Sequence, residues 1–240
     1  IVSMTMAGQT VLAVVPARGG SKSIPRKNLA KVGGISLVGR AGELAASMPW
    51  IDRAVISTDD VEIAAEATRH GLEAPFQRPG ELAGDKSTST DMWRHAWLAA
   101  EAHYGMRFDL SILLEPTSPM RRAEDLTRCV ETLLDSGHKA AATLSPTPAH
   151  FTPHKTLKLD AGGNLAPYLA EGRKALRQGI PDYYHCNGIC YALRRATLVD
   201  EGHIMEDDCI GVVIDRPIVN IDEPFELELA EWLLAREARQ

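Results

Sequence analysis

No run of about 20 apolar residues, the length that spans a bilayer, occurs anywhere in the 240-residue chain. Even the longest uncharged stretch, from Ile1 towards Arg18, is broken by Ser3, Thr5, Gln9 and Thr10. No basic segment precedes a small-residue cleavage site, so no secretory signal is read. These absences predict a soluble chain with no membrane contact. Paired cysteines are missing too: Cys129, Cys186, Cys190 and Cys209 form no C-x-x-C pair, and Cys186 with Cys190 lacks a second pair to close a zinc site. They read as reduced, mostly buried thiols, which predicts a cytoplasmic location. Nor is there an excess of positive charge. The 26 Lys and Arg against 32 Asp and Glu leave −6, which argues against a nucleic-acid partner held by a general positive field.

What the chain does have is 45% hydrophobic residues, enough at this length to bury a large core, in one domain predicted over residues 8–240. Its charge is unevenly spread. Between Ile1 and Gly42 lie Arg18, Lys22, Arg26, Lys27, Lys31 and Arg40 and no acid, so this segment carries +6 and the remainder −12. A compact cationic segment on an acidic body suits a small polyanion such as a nucleoside triphosphate, with a solvated basic face as the plainer alternative.

Val11 to Val15 is a short, β-branched apolar run, followed by a Gly/Pro/Lys loop and a helical pattern from about Leu37 to Met48. The pattern repeats as Arg53 to Ser57 with Asp60 to His70, and as Asp109 to Leu114 with Arg122 to Ser136. Alternation of this kind predicts an α/β fold with a doubly wound, mostly parallel sheet whose ligands bind beyond the carboxyl ends of the strands. It breaks between about residues 146 and 182, where Lys155 to Leu159 and Asn164 to Tyr168 flank Asp-Ala-Gly-Gly, the signature of a β-hairpin. This amphipathic insertion is assigned to a dimerisation arm. The sheet pattern resumes through Gly188 to Leu193 and Val212 to Val219. A last helix, Glu223 to about Ala238, places Phe225, Leu229, Trp232 and Leu233 on one face.

The loop after the first strand reads Pro16-Ala-Arg-Gly-Gly-Ser-Lys-Ser-Ile-Pro-Arg-Lys-Asn28. It is neither G-x-G-x-x-G nor a P-loop, because Ser21 separates Gly20 from Lys22. Consecutive glycines still let backbone N–H groups approach phosphate oxygens, with Arg18, Lys22 and Lys27 to neutralise charge. This loop, together with Ser57-Thr-Asp59, Arg78-Pro with Glu81-Leu-Ala, Pro116-Thr-Ser-Pro119 with Arg121, Asn187-Gly with Tyr191, and Ile221-Asp-Glu-Pro224, resembles the acylneuraminate cytidylyltransferases, or CMP-sialic acid synthetases, over about residues 11 to 235.

The resemblance implies a homodimeric, Mg²⁺-dependent enzyme that joins CTP to an acidic nine-carbon keto-sugar, whose 2-hydroxyl attacks the α-phosphate as pyrophosphate leaves. It implies Arg18, Lys22 and Lys27 as phosphate-binding residues, Lys27 stabilising the transition state, and Asn28 beside the nucleotide. Arg78, Ser87 and Ser89 match the cytidine-contacting segment. Lys155, Arg177 and the adjacent Gln178 fall to the sugar, with Lys155 reaching the partner subunit's site. Asn187 and Tyr191 match the strand beneath the sugar, and Asp222 a metal-binding aspartate. Plainer readings stand beside several of these: Asp222 as a helix N-cap, Asp59 capping with Glu62, Ser118 as a helix-start turn, Asn187-Gly188 as a turn, Tyr191 as core.

Three positions depart from the family pattern. Asn220 stands where a second metal-binding aspartate is frequent, His185 where an arginine is common, and Glu115 where the sugar-touching position is usually glutamine. A carboxylate there suggests a sugar with an amino, amidino or other modification. Alternatives remain a non-catalytic CTP- or CMP-sugar-binding relative and a Kdo-type cytidylyltransferase, whose loop usually differs over Ile24 to Asn28.

Overall fold

The computed structural model describes residues 6–84, 87–170, 179–205 and 208–239. In chain order the elements are β1 (Val11–Pro16), β2 (Lys31–Val32), β3 (Ile35–Ser36), α1 (Leu37–Ser47), β4 (Arg53–Ser57), α2 (Val61–Arg69), α3 (Ser89–Tyr104), β5 (Leu110–Leu113), α4 (Ala123–Ser136), β6 (Ala140–Pro146), β7 (Leu157–Leu159), β8 (Leu165–Pro167), β9 (Tyr184–Arg194), β10 (Cys209–Val213) and α5 (Pro224–Glu237). Six strands form one sheet in the order β10-β6-β9-β5-β1-β4. β1 pairs in parallel with both β4 and β5, and β10 with β6. β9 runs antiparallel between β5 and β6. The fold is α/β and Rossmann-like, as the strand–helix alternation predicts.

β1 is buried along its length because both of its faces are covered. Val11, Ala13 and Val15 pack with residues of α1, α2 and α4 on one face, while Leu12 and Val14 meet Trp93 and Trp97 of α3 on the other. Trp93 is fully buried and its indole N–H donates to Ser111 Oγ at 2.8 Å. The chain turns to opposite sides of β1 when it adds β4 and then β5, which opens a crevice at their carboxyl ends.

The hairpin of the insertion forms as β7 and β8, with the side chain of Asp160 accepting from the N–H groups of Gly162 and Asn164 across the turn. Leu157, Leu159 and Leu165 are exposed on it.

Two expectations need correction. The late strand lies at Cys209–Val213 rather than Val212 to Val219: Pro217 cannot donate to a ladder, and Arg216 leaves the sheet to pair with Asp125 of α4. On α5, Phe225, Leu229 and Trp232 are 63%, 41% and 52% exposed, and only Leu233 of that set packs inward. The helix has a second apolar stripe, Leu227, Ala230, Leu233 and Leu234, and this one meets Ile24, Val32 and Leu37. Polar anchors fix that orientation, with Glu231 accepting from the Gly33 N–H at 2.6 Å and Glu237 from Arg122 at 3.0 Å. Among the described residues no helix is long and apolar enough to cross a membrane. All four cysteines are free thiols; Cys129 and Cys190 are buried, Cys209 is intermediate and Cys186 is exposed.

Candidate active site

The glycine loop leaves β1 at Pro16 and is held at several points. Gly19 N–H donates to Asp59 Oδ1 at 2.9 Å, and buried Asn28 donates from Nδ2 to the Arg18 carbonyl at 3.0 Å. Arg26 is one of two described non-glycine residues with positive φ (+55°), and its guanidinium pairs with Glu62 of α2. That turn brings Lys27 inward, 15% exposed at its side chain, where Nζ donates to the Ile221 carbonyl at 2.9 Å and to Asp222 Oδ1 at 3.0 Å. Ser23 Oγ donates to the Asp222 carbonyl. The loop before α5 is therefore docked on the glycine loop across nearly the whole length of the sequence.

Asp222 is not the helix cap. Glu223 occupies that position, in a capping box with Glu226, which frees the Asp222 carboxylate to face Lys27. Nor does Asp59 cap α2, since Asp60 accepts from the N–H groups of Glu62 and Ile63. Asp59 instead fixes the loop, a role the sequence reading missed. The usable signal was topological: Ser57-Thr-Asp59 ends the strand next to β1, so its first acid lies beside the loop that β1 feeds. We predict that Asp59→Ala lowers kcat/KM for CTP about tenfold by releasing one charge-assisted bond to the loop, with little change in saturated turnover. Initial rates at varied CTP read this out.

A cleft of about 400 Å³ opens over the loop, and Arg18, Lys27, Asn28, Arg78, Ser87 and Ser89 all line it, as does Glu115. Ser89 begins α3, whose N-cap Thr88 accepts from the Asp91 N–H at 3.0 Å. Arg78 is buried, giving Nε to Ser57 Oγ at 3.1 Å and an Nη to the Ser57 carbonyl at 2.6 Å. Burial pushes its guanidinium down to about 10, with Arg18 adding to the effect and Asp59 opposing it. Lys22 is exposed on the loop and outside the cleft lining.

Opposite the loop lies Pro116-Thr-Ser-Pro119. Ser118 is no helix-start residue here: α4 starts at Ala123, and buried Ser118 Oγ donates to the Asn187 carbonyl at 2.6 Å. Arg121 donates to the carbonyls of Glu115, Gly188 and Ile189, and the Ile221 N–H donates to the Thr117 carbonyl at 2.8 Å. Asn187-Gly188 is a bulge-like irregularity inside β9, where the register with β6 shifts, rather than a turn. Asn187 is consumed internally: Oδ1 accepts from Thr143 Oγ1 at 2.7 Å and Nδ2 donates to Ser145 Oγ at 3.1 Å. Tyr191 is buried on β9 and faces a second cavity of about 310 Å³ that adjoins the first at Ser89, Leu113 and Glu115. Burial and the nearby Glu115 carboxyl push its hydroxyl up.

The family model described as Cytidylyltransferase matches residues 12–168, more than half of the chain. The chain belongs to the cytidylyltransferase family. It is 26% identical over 225 residues to the post-translational flagellin modification protein B of Campylobacter coli, covering 93% of this chain and 94% of that one. It is 28% identical over 231 residues to the CMP-N,N'-diacetyllegionaminic acid synthase of Legionella pneumophila, covering 93% and 96%. Among solved structures it is similar to CMP:2-keto-3-deoxy-manno-octonic acid synthetase complexed with CTP, at a TM-score of 0.67 and 21% identity over 95% of this chain and 99% of that one, a likeness of fold.

In this cytidylyltransferase the residues around Asp222 suit a divalent cation that draws most of its ligands from substrate and water. Asp222 supplies one exposed carboxylate, and Asn220 Oδ1 is buried with no hydrogen-bond partner among the described residues. An orphaned amide oxygen two residues from an exposed carboxylate, one oxygen of which accepts from Lys27, could hold a Mg²⁺ ion that takes few protein ligands. No cluster of three or more His, Cys, Asp or Glu able to hold a metal occurs among the described residues, so the ion would depend on phosphate oxygens. Lys155 is exposed at the foot of the β7–β8 arm, away from the cleft lining of its own chain. Arg177 and Gln178 lie outside the described residues.

Proposed function

We propose that this cytidylyltransferase joins CTP to an acidic nine-carbon keto-sugar, giving a CMP-sugar and pyrophosphate. The observation that carries the reading is Lys27, an inward-turned cation between the glycine loop and Asp222 on the wall of the nucleotide-sized cleft. The backbone of Gly19 and Gly20, with Arg18, would receive the triphosphate, and the Arg78 to Ser89 wall would receive cytidine. The sugar 2-hydroxyl oxygen forms a bond to the α-phosphorus while the bond to the β-phosphate oxygen breaks, and the hydroxyl proton passes to solvent. Lys27 then meets the charge that develops as pyrophosphate departs. Asp222 and Asn220 would hold Mg²⁺, which when bound neutralises oxygens around the reacting phosphorus. The name of the second relative above supports the sugar class, since that protein is a CMP-N,N'-diacetyllegionaminic acid synthase.

The exposed leucines of the β7–β8 hairpin support a homodimer in which Lys155 reaches the partner's site, and the free thiols fit a cytoplasmic enzyme. Pyrophosphate release tests the reading, with CTP, UTP or GTP, Mg²⁺, and a panel of N-acetylneuraminate, legionaminate, pseudaminate and Kdo. Release with CTP and a nine-carbon acid supports it, Kdo alone would select the Kdo-type alternative, and CTP binding without release would select the non-catalytic one. We further predict that Asn220→Asp lowers the Mg²⁺ concentration needed for half-maximal rate several-fold, because a second carboxylate replaces an amide oxygen. An unchanged Mg²⁺ titration would remove residue 220 from the metal site.

A further inference from the structure

Glu115 stands at the neck between two cavities, lining both the nucleotide cleft and the adjoining pocket walled by Leu113, Tyr191, Ile204 and Met205. Its carboxylate has no hydrogen-bond donor among the described residues. Arg121, one of the two cations that act on it, spends its guanidinium on the backbone carbonyls of Glu115, Gly188 and Ile189. Position is not the reason for this isolation, because the carboxylate is firmly seated. It lies against the bare backbone of Gly188, at φ +70°, where an added Cβ would collide with the Glu115 carboxylate and with Ser118 Oγ.

Burial pushes this carboxyl above the usual range, and Asp222 adds to that, while Arg121 and Lys27 oppose it. An acid so placed is under-compensated by its own protein, and a sheltered charge without a partner is costly. A bound ligand removes that cost if it brings a cation or N–H donors to the neck. The groups that face the carboxyl from the surrounding elements are Arg121, Lys27, Asp222, Tyr191 and Cys186, and the first two are already engaged with backbone or with Asp222. The second cavity adds the other half of the requirement. Leu113, Ile204 and Met205 offer an apolar wall for a short carbon group attached to the nitrogen.

We propose that Glu115 selects acidic sugars bearing a basic nitrogen, an amino or amidino substituent, which its carboxylate binds at the neck while the apolar flank of that substituent enters the second cavity. An amidine presents two N–H groups in a plane, matched to the two oxygens of a carboxylate. A neutral acetamido group offers one N–H and a carbonyl oxygen that the carboxylate repels. This inference rests on the cytidylyl-transfer reading and narrows its sugar.

The test compares kcat/KM for pyrophosphate release, with CTP and Mg²⁺ near neutral pH, between nine-carbon keto acids identical but for one nitrogen. That nitrogen is acetamido in one sugar and amino or acetamidino in the other, placed at each nitrogen-bearing carbon in turn. The wild-type chain is expected to favour one basic sugar by about tenfold or more, and Glu115→Gln to bring that ratio down about tenfold. A ratio compared within one variant is insensitive to general loss of fold, and the wild-type comparison stands without the variant. Turnover of all the sugars with no preference for a basic one, or a preference unchanged in Glu115→Gln, overturns the role of Glu115 and leaves the reaction standing. No pyrophosphate from any sugar overturns the cytidylyl-transfer reading itself.

Discussion

Lys27→Ala is expected to lower kcat for CMP transfer by roughly 10²–10³-fold while the chain stays folded. The amine is positioned, not merely present. The left-handed turn at Arg26 directs the side chain inward, and two acceptors on the Ile221–Asp222 loop fix Nζ to within hydrogen-bond distance. A cation fixed before the reaction needs no reorganisation as charge moves onto the leaving pyrophosphate, which is why its loss falls on the chemical step. Stability should change little, about 1 kcal/mol at most, because the Asp222 carboxylate that loses its partner is 71% exposed and can be rehydrated. Lys27→Arg is expected to recover only part of the rate, since a planar fork cannot occupy the same point between the carbonyl and the carboxylate. Single-turnover rates at saturating CTP, paired with urea unfolding, separate the two effects. A Lys27→Ala chain that turns over normally would remove Lys27 from the chemistry.

Arg121→Ala is expected to destabilise the fold by about 3–5 kcal/mol. Its side chain is half-buried, and burial pushes the guanidinium down to about 10, with nearby Cys190, Glu115 and Asp125 helping to retain the charge. It is the clamp between the Pro116–Pro119 loop and β9. Truncation would leave the carbonyls of Glu115, Gly188 and Ile189 without this donor at the place where β9 departs from regular pairing. A lysine at this position would restore one point charge but not the fork, so Arg121→Lys should recover less than half of the loss. Urea unfolding curves for the three chains measure this, and a loss of unfolding free energy below about 1 kcal/mol would show that the loop holds without the clamp.

Much of this architecture was legible in the sequence because its signals are local and physical. The apolar runs from Val11 and Arg53 and the helix at Asp60 to His70 become β1, β4 and α2 almost residue for residue. Asp-Ala-Gly-Gly becomes the turn between β7 and β8. The cationic loop lies at the carboxyl end of β1, where Arg18, Lys27 and Asn28 meet Arg78, Ser87 and Ser89 around one cleft. What was not legible depends on choices between locally equivalent partners. Asp59 and Asp60 are both able caps for α2, and only the proximity of Gly19 decides which is diverted to the loop. The same competition assigns Glu223 to the helix and Asp222 to Lys27. α5 has two apolar stripes, and its period cannot say which one meets Val32 and Leu37. The antiparallel run of β9 escapes periodicity altogether, since a strand buried on both faces reads the same in either direction.

The most direct test of cytidylyl transfer follows the oxygen. A nine-carbon keto acid carrying ¹⁸O in its 2-hydroxyl is incubated with CTP, Mg²⁺ and the enzyme, and the products are weighed by mass spectrometry. Attack by that hydroxyl on the α-phosphorus predicts CMP-sugar that retains the label in the bridging oxygen, with unlabelled pyrophosphate in equal amount. Pyrophosphate accompanied by free CMP and unchanged labelled sugar, or no CMP-sugar at all, would contradict the account.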